Sequence, residues 1–179
     1  LIPIMPMMYI LSIGVIKRYL ETNAKKHRIK IGALFSLFAW FVIASFATYP
    51  NYLPYFNELV GTQNGWKYVV DSNYDWGQDL KRLAKFVELN DIDKIAVHYF
   101  GAGSPQYYMG DKAVPWWSSK GNPKESGIEW IAIYVNEVQV LTAPTAPDFY
   151  RDVEKEYRWL NNPSIPSARV GQSIFVYKL

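Results

Sequence analysis

The densest group of chemistry-bearing side chains is a nine-residue stretch, DSNYDWGQD, that begins at Asp71. Carboxylates, an amide and an indole this close together are typical of a site for a polar ligand. Asp71, Asn73 and Asp75 also match the Asp-x-Asn-x-Asp start of a calcium loop. The match ends there, because Trp76 stands where such a loop needs glycine and Arg82 stands where it needs glutamate. Calcium binding is therefore not predicted.

A turn followed by a helix cap accounts for part of this stretch. Asp75 is predicted to cap a helix, with Gln78 three residues later, the spacing of a capping box. Capping gives no reason for Asp71, Asn73 or Trp76. We therefore treat Asp71, Asn73, Asp75 and Trp76 as candidates for lining a ligand site, with an interface role as the alternative. No catalytic residue is assigned.

Other features of the sequence favour chemistry less. Residues 101–103, Gly-Ala-Gly after a predicted strand, could present backbone amides to a phosphate, although a plain tight turn is favoured. His27 and His98 fall in unrelated segments and do not suggest a metal site. The chain has no cysteine, which excludes disulfides and thiolate metal sites.

Two charge-free segments precede these residues. Residues 1–16 are uncharged and predict the end of a helix that starts upstream, so we expect the chain to be the C-terminal part of a longer polypeptide. Residues 31–57 are also uncharged, and residues 31–49 are nearly all apolar. At about 1.5 Å of rise per residue, the latter stretch matches a hydrocarbon core of roughly 30 Å. We predict two transmembrane helices within residues 1–57.

Positive charge is concentrated between the two apolar segments. The loop predicted at residues 17–30 holds six Lys or Arg and one Glu, a net charge of +5 in a chain whose total is +3. By the positive-inside rule this loop stays in the cytoplasm, so residues after Tyr55 lie on the non-cytoplasmic side. The lipid bilayer is the predicted partner. Nucleic acid is not predicted, because the charge does not spread over a folded face.

The remainder, residues 58–179, has the pattern of a small extracytoplasmic α/β domain. The helix that starts at Asp75 has one apolar face, and the strands are rich in β-branched and aromatic residues. A turn at Gly171-Gln172 predicts a closing hairpin. Strands are predicted at residues 95–100, 128–135, 168–170 and 173–179, a second helix at residues 148–160, and a loop at residues 110–127.

Several segments together resemble one enzyme family, and the resemblance covers nearly the whole chain. These segments are LIPIMPMMYIL, YLPYFNELVG, NGWKYVVDSNYDWGQDLKRLAKFV, YFGAGSPQYY and ARVGQSIFVYKL. They resemble the C-terminal portion of polyprenyl-phosphate-sugar-dependent membrane glycosyltransferases related to the protein O-mannosyltransferases. DSNYDWGQDL is the most specific of the shared stretches, and none of them is a catalytic signature.

The resemblance implies a membrane enzyme that takes a sugar from a polyprenyl-phosphate donor and passes it to an acceptor on the outer face. In such enzymes an acidic residue of the first extracytoplasmic loop acts as general base or helps to hold a divalent cation. That loop would precede Leu1, so no catalytic residue is carried over, and this chain by itself is expected to be inactive. Asp71, Asn73, Asp75 and Trp76 would then shape the substrate site.

A non-catalytic alternative fits the same residues. The chain would then be a membrane-anchored α/β module that binds a partner or a glycan. The upstream sequence separates the two hypotheses, because further membrane spans with an acidic pair in the first outer loop would favour the enzyme.

The basic segment yields a prediction of topology. An alkaline phosphatase fused after Leu179 should be active, because that reporter folds only outside the cytoplasm. The same reporter fused after Asn23, within the basic segment, should be inactive. The reverse pattern of phosphatase activity would contradict the predicted orientation.

Overall fold

The computed structural model describes residues 4–21, 24–61, 63–70, 74–142, 157, 159–160 and 162–179. The chain divides into two compact units, Leu1–Tyr49 and Pro50–Leu179. The first unit is helical and the second is a small mixed α/β domain. The boundary falls eight residues before the one predicted after residue 57, so the tyrosine-rich segment after the second helix belongs to the α/β unit.

The first unit consists of helices α1 (Ile4–Leu20) and α2 (Ala24–Thr48). Within α2, the 23 residues Lys26–Thr48 have a mean hydropathy of 2.0 and are long and apolar enough to cross a membrane. The 17 residues of α1 extend only about 25 Å, which is short of a bilayer core. Among the described residues, one helix therefore has spanning length where two were predicted.

The prediction of a loop at residues 17–30 is wrong, because residues 17–20 and 24–30 are helical. The last turn of α1 contains Lys17 and Arg18, and α2 already begins at Ala24. Lysine and arginine are good helix formers, so a run of positive charge does not end a helix. His27 contributes to the junction, because its Nδ1 lies 2.8 Å from the carbonyl oxygen of Leu20, one of the carbonyls that the end of a helix leaves unpaired.

The second unit is built on a five-stranded sheet. The strands are β1 (Ile95–His98), β2 (Ala113–Pro115), β3 (Trp130–Tyr134), β4 (Ala168–Val170) and β5 (Ile174–Lys178). Their order in the sheet is β2-β1-β3-β5-β4. Strands β1 and β3 are parallel neighbours, and β2 runs parallel to β1 at one edge. Strand β5 is antiparallel to both β3 and β4.

Both faces of this sheet are buried, because successive residues of a strand point to opposite sides. In β5, Phe175 and Tyr177 contribute to one core, while Ile174 and Val176 contribute to the other. Helix α3 (Leu80–Leu89) covers the second core with Leu80, Leu83 and Val87. Burying each of these side chains stabilises the fold by about 1.5–3 kcal/mol. The apolar face predicted for this helix is confirmed.

The remaining predictions were met unevenly. All four predicted strands and the hairpin through Gly171 are present, three of the strands with shorter bounds and the strand at residues 168–170 with the predicted bounds. The segment at residues 110–127, predicted as loop, contains the edge strand β2, preceded by the short helix α4 (Pro105–Met109). Helix α5 (Val135–Thr142) follows β3 without a break and was not predicted. Most of the helix predicted at residues 148–160 lies outside the described residues, and residues 157 and 159–160 are not helical.

The turn between β4 and β5 is fixed by a side chain from a distant part of the chain. The backbone N–H groups of Gln172 and Ser173 both donate to Oδ2 of Asp79, at 2.9 and 3.1 Å. Gly171 has a φ of +62°, and a β-carbon there would lie 2.0–2.2 Å from the carboxyl atoms of Asp79. Glycine is therefore required by the left-handed backbone and by the approach of the carboxylate.

Replacement of this glycine should destabilise the fold more than replacement of another left-handed glycine. Gly127 has a φ of +75°, and a β-carbon added there would have nothing within 4 Å, so Gly127→Ala should cost about 1–2 kcal/mol for backbone strain alone. Gly171→Ala should cost more, because Asp79 must move and lose hydrogen bonds worth about 1.5–3 kcal/mol each. If urea unfolding shows that Gly171→Ala and Gly127→Ala lose the same free energy of unfolding, this role of Asp79 is contradicted.

Candidate functional site

A cleft of about 420 Å³ opens beside the carboxyl end of β1. Its walls come from two loops, residues 74–79 before α3 and residues 99–104 between β1 and α4. Ligands of α/β proteins commonly bind at this end of parallel strands, where the connecting loops diverge. The lining residues are Asp75, Trp76, Tyr99, Phe100, Gly101 and Ala102.

The two loops meet at a pair of glycines. A β-carbon on Gly77 would lie 3.5 Å from Cα of Gly103, and one on Gly103 would lie 2.5 Å from Cδ1 of Leu80. Leu80 is fully buried under the sheet, so a larger side chain at Gly103 would collide with the core. The preference for a plain tight turn at residues 101–103 over a phosphate-binding loop stays a prediction.

Asp75 lies in the wall of the cleft with only 1% of its surface exposed. Its Oδ1 accepts the backbone N–H of Gly77 at 2.7 Å, and its Oδ2 accepts a short hydrogen bond from Oγ of Ser173. A side chain that accepts the amide two residues later stabilises a turn. Asp75 thus orders the cleft loop and joins it to the start of β5.

The prediction that Asp75 caps the helix is wrong. Helix α3 begins at Leu80, and Asp79 occupies the N-cap position without a side-chain capping bond. Gly77 has a φ of +105°, which lies outside the helical region and separates Asp75 from the helix. Gln78 does reach back, but its Oε1 accepts the N–H of Trp76, at 2.8 Å.

Asp79 is the second buried carboxylate, also 1% exposed. Besides the two turn amides, its Oδ2 accepts Oγ of Ser173 at 2.8 Å, and its Oδ1 accepts Nη1 of Arg82 at 2.6 Å. The same Arg82 nitrogen donates to Oδ1 of Asn51 at 2.7 Å. A buried carboxylate is tolerated when hydrogen bonds and a cation compensate for its lost hydration.

Two carboxylates converge on one hydroxyl. Oγ of Ser173 has a single hydrogen, yet Asp75 and Asp79 both lie within accepting distance of it. Protonation of Asp75 would satisfy all three groups, because Asp75 would then donate to Oγ of Ser173, and Ser173 would donate to Asp79. The pKa of Asp75 is raised, mainly by burial and further by the charge of Asp79, and this favours the protonated form.

The phenol of Tyr99 faces the same carboxylate. Burial and the neighbouring charge of Asp75 raise the pKa of Tyr99 well above its ordinary value, so the ring keeps its proton. Its hydroxyl is buried and has no well-formed hydrogen bond within the described residues. The ring packs edge-on against Tyr134, with 5.6 Å between centroids. Tyr99 therefore presents a fixed donor at the base of the cleft.

Two aromatic side chains stand at the mouth of the cleft. Trp76 is 63% exposed and Phe100 is 61% exposed. They come from different loops and line the same cleft. An exposed aromatic pair beside a buried carboxylate and a phenol gives the cleft both apolar faces and hydrogen-bonding groups.

Two of the four candidate residues are brought together here. Asp75 and Trp76 line one cleft, while Asp71 and Asn73 lie outside the described residues. Sequence reasoning missed Asp79, Tyr99, Phe100 and Ser173. Tyr99 and Phe100 could have been found from their place at the carboxyl end of the strand predicted at residues 95–100. Ser173 could not, because nothing local in the sequence indicates that its partners lie more than 90 residues away.

Other parts of the described chain are less suited to a ligand. A larger groove of about 650 Å³ lies between α3 and α4, but it combines three lysines with one glutamate and contains no candidate residue. Nδ1 of His98 is 2.5 Å from Oη of Tyr157, and burial lowers the pKa of this histidine. Within the described residues, no group of three His, Asp or Glu side chains could hold a metal ion.

Comparisons with known proteins identify no relative of this chain. No family model, curated protein sequence or solved structure matches this chain. The family resemblance therefore stays a prediction.

The raised pKa of Asp75 predicts a pH-dependent stability. The carboxyl group of Asp75 binds its proton more tightly in the folded state than in the unfolded state. The stability that this proton contributes is fully present below the unfolded pKa of about 3.8 and is lost as pH rises through the folded pKa. Asp75→Asn keeps the shape and the acceptor for Gly77 but cannot ionise. The wild-type melting temperature should therefore fall relative to that of Asp75→Asn as pH rises from 4 to neutrality. A difference that is independent of pH would contradict the shift.

Proposed function

We propose that this chain is the C-terminal part of an integral membrane glycosyltransferase, which transfers a sugar from a polyprenyl-phosphate carrier to an extracytoplasmic acceptor. In this proposal the cleft lined by Asp75, Trp76, Tyr99 and Phe100 binds a sugar ring. The single observation that carries the proposal is the pairing of two exposed aromatic side chains with a buried carboxylate in one cleft.

The chemistry of a sugar matches these groups. A pyranose ring has apolar C–H faces that pack on aromatic rings, and hydroxyl groups around its edge that donate and accept hydrogen bonds. Trp76 and Phe100 offer the aromatic surfaces. The carboxylate of Asp75 can accept from a sugar hydroxyl, and the phenol of Tyr99 can donate to one.

The membrane segment supports the same proposal. Helix α2 contains the stretch of spanning length, and we propose that α1 is the end of a second span. The basic C-terminal end of α1 and the basic start of α2 would lie in the cytoplasm, which leaves the α/β unit on the outer face. A polyprenyl carrier holds its sugar at the bilayer surface, within reach of a domain attached to a span.

In this proposal the described residues bind and orient the sugar, and the acidic residue that the resemblance implies for catalysis lies upstream. Both oxygens of Asp75 are already engaged, by Gly77 and by Ser173. Such a carboxylate is better placed to fix a loop and hold a hydroxyl than to remove a proton. The same observation favours the second candidate function, a non-catalytic module that binds a glycan.

Substitutions at the mouth of the cleft test the proposal in the full-length protein. Trp76→Ala and Phe100→Ala should each raise the KM for the polyprenyl-phosphate-sugar donor, because a stacking interaction worth about 0.5–1.5 kcal/mol is lost. The melting temperature should change little, since both side chains are mostly exposed. Trp117→Ala removes an indole that is 47% exposed and not part of the cleft, and it should leave KM unchanged.

The same assay separates the two candidate functions. An active full-length enzyme in which the two cleft variants behave like Trp117→Ala would contradict sugar binding in the cleft. A full-length protein that binds hexosides through the cleft, but transfers no sugar from any polyprenyl-phosphate donor, would favour the module.

A further inference from the structure

The segment that follows α2 carries the densest exposed apolar surface of the α/β unit. Seven large apolar or aromatic residues within residues 50–69 are exposed, against eight across the described part of residues 70–179. The seven, which we call the juxtamembrane patch, are Tyr52, Leu53, Tyr55, Phe56, Leu59, Tyr68 and Val69. Exposed apolar residues at this density mark an interaction surface.

The patch is one structure and not two separate stretches. The rings of Phe56 and Tyr68 stack at a centroid distance of 5.8 Å and an interplanar angle of 16°. Gly65 lies beneath this contact, because a β-carbon there would come within 2.9 Å of Cβ of Phe56. The backbone of residues 65–69 is thereby held against residues 54–56. Leu59 is the most exposed of the seven residues, with 98% of its surface accessible to solvent.

We propose that the juxtamembrane patch lies in the headgroup layer of the bilayer that α2 crosses. The covalent chain limits the distance, because the four residues from Thr48 to Tyr52 span at most about 14 Å. Tyrosine is enriched at the membrane interface, where its ring is partly apolar and its hydroxyl is hydrated. Three of the seven patch residues are tyrosines, and leucine, valine and phenylalanine supply the apolar contact.

The charge of the segment fits a lipid surface. Residues 50–69 include only one acidic and one basic residue, Glu58 and Lys67. Oη of Tyr55 donates to Oε1 of Glu58 at 2.5 Å, which offsets part of the cost of bringing that carboxylate toward the bilayer. Docking through this patch would attach the α/β unit to the surface at which a lipid-linked sugar is presented. The proposal rests on the transmembrane assignment of α2 and is independent of sugar binding.

Spin-label accessibility tests the proposal in the full 179-residue chain, reconstituted in phosphatidylcholine vesicles. The chain has no cysteine, so each single substitution gives one labelled site. Leu59→Cys reports on the patch. Leu89→Cys is the matched control, a leucine that is 72% exposed at the end of α3. Phe38→Cys, within α2, reports whether the helix is in lipid.

The expected result is a higher collision rate with oxygen than with a water-soluble nickel chelate at positions 38 and 59, and the reverse at position 89. A nickel-accessible label at position 59, with position 38 in lipid, would overturn the docking and leave the span intact. A label at position 59 shielded from both reagents would mean that protein covers the patch, which also overturns the proposal. Nickel access at position 38 would overturn the span and the docking together.

Discussion

The buried carboxylate of Asp79 ties the start of α3 to the hairpin that closes the sheet. It accepts two backbone amides and one hydroxyl from residues 172–173, and it pairs with Arg82 one turn into the helix. The bonds join parts of the chain that are 94 residues apart. Leaving this carboxylate unpaired in the interior would cost several kcal/mol, so its partners stabilise the contact between the helix and the hairpin. Gly171 leaves the space into which the carboxylate fits.

The geometry of the cleft follows from this connection. Ser173 is held by Asp79 and in turn holds Asp75, which fixes the amide of Gly77. Gly77 then packs against Gly103, so the loop after β1 is positioned by the loop before α3. Trp76 lies between two of these fixed points and is left exposed. A cleft assembled this way needs little reordering when a ligand arrives, which favours binding.

Local patterns in the sequence predicted the elements that depend on local physics. The apolar spacing of Leu80, Leu83 and Val87 located α3, and Gly171 located the hairpin turn. The cap was placed four residues too early because Asp75 and Gln78 have the spacing of a capping box. The φ of +105° at Gly77 was invisible in the pattern. The basic segment was predicted as a loop because charge was taken as a boundary, although lysine and arginine favour helices.

Long-range features were beyond the reach of a single sequence. Strand β2 is three residues long and ends at Pro115, and its only signal is its pairing with β1. The second carboxylate, Asp79, falls inside the helix that the sequence predicts from Asp75, and nothing near it in the sequence indicates that the hairpin folds over it. The candidate site was therefore half predicted: Asp75 and Trp76 were named, while the residues that complete the cleft come from the topology of the sheet.

Sugar binding in the cleft is tested most directly by following the indole N–H resonances of the seven tryptophans while a methyl hexopyranoside is added to the reconstituted chain. Binding as proposed shifts the Trp76 resonance in a saturable manner and leaves that of Trp117 in place. The same titration of Phe100→Ala should show a weaker or absent shift. A Trp76 resonance that does not respond to any hexopyranoside, or responds no more than that of Trp117, would contradict the proposed sugar site.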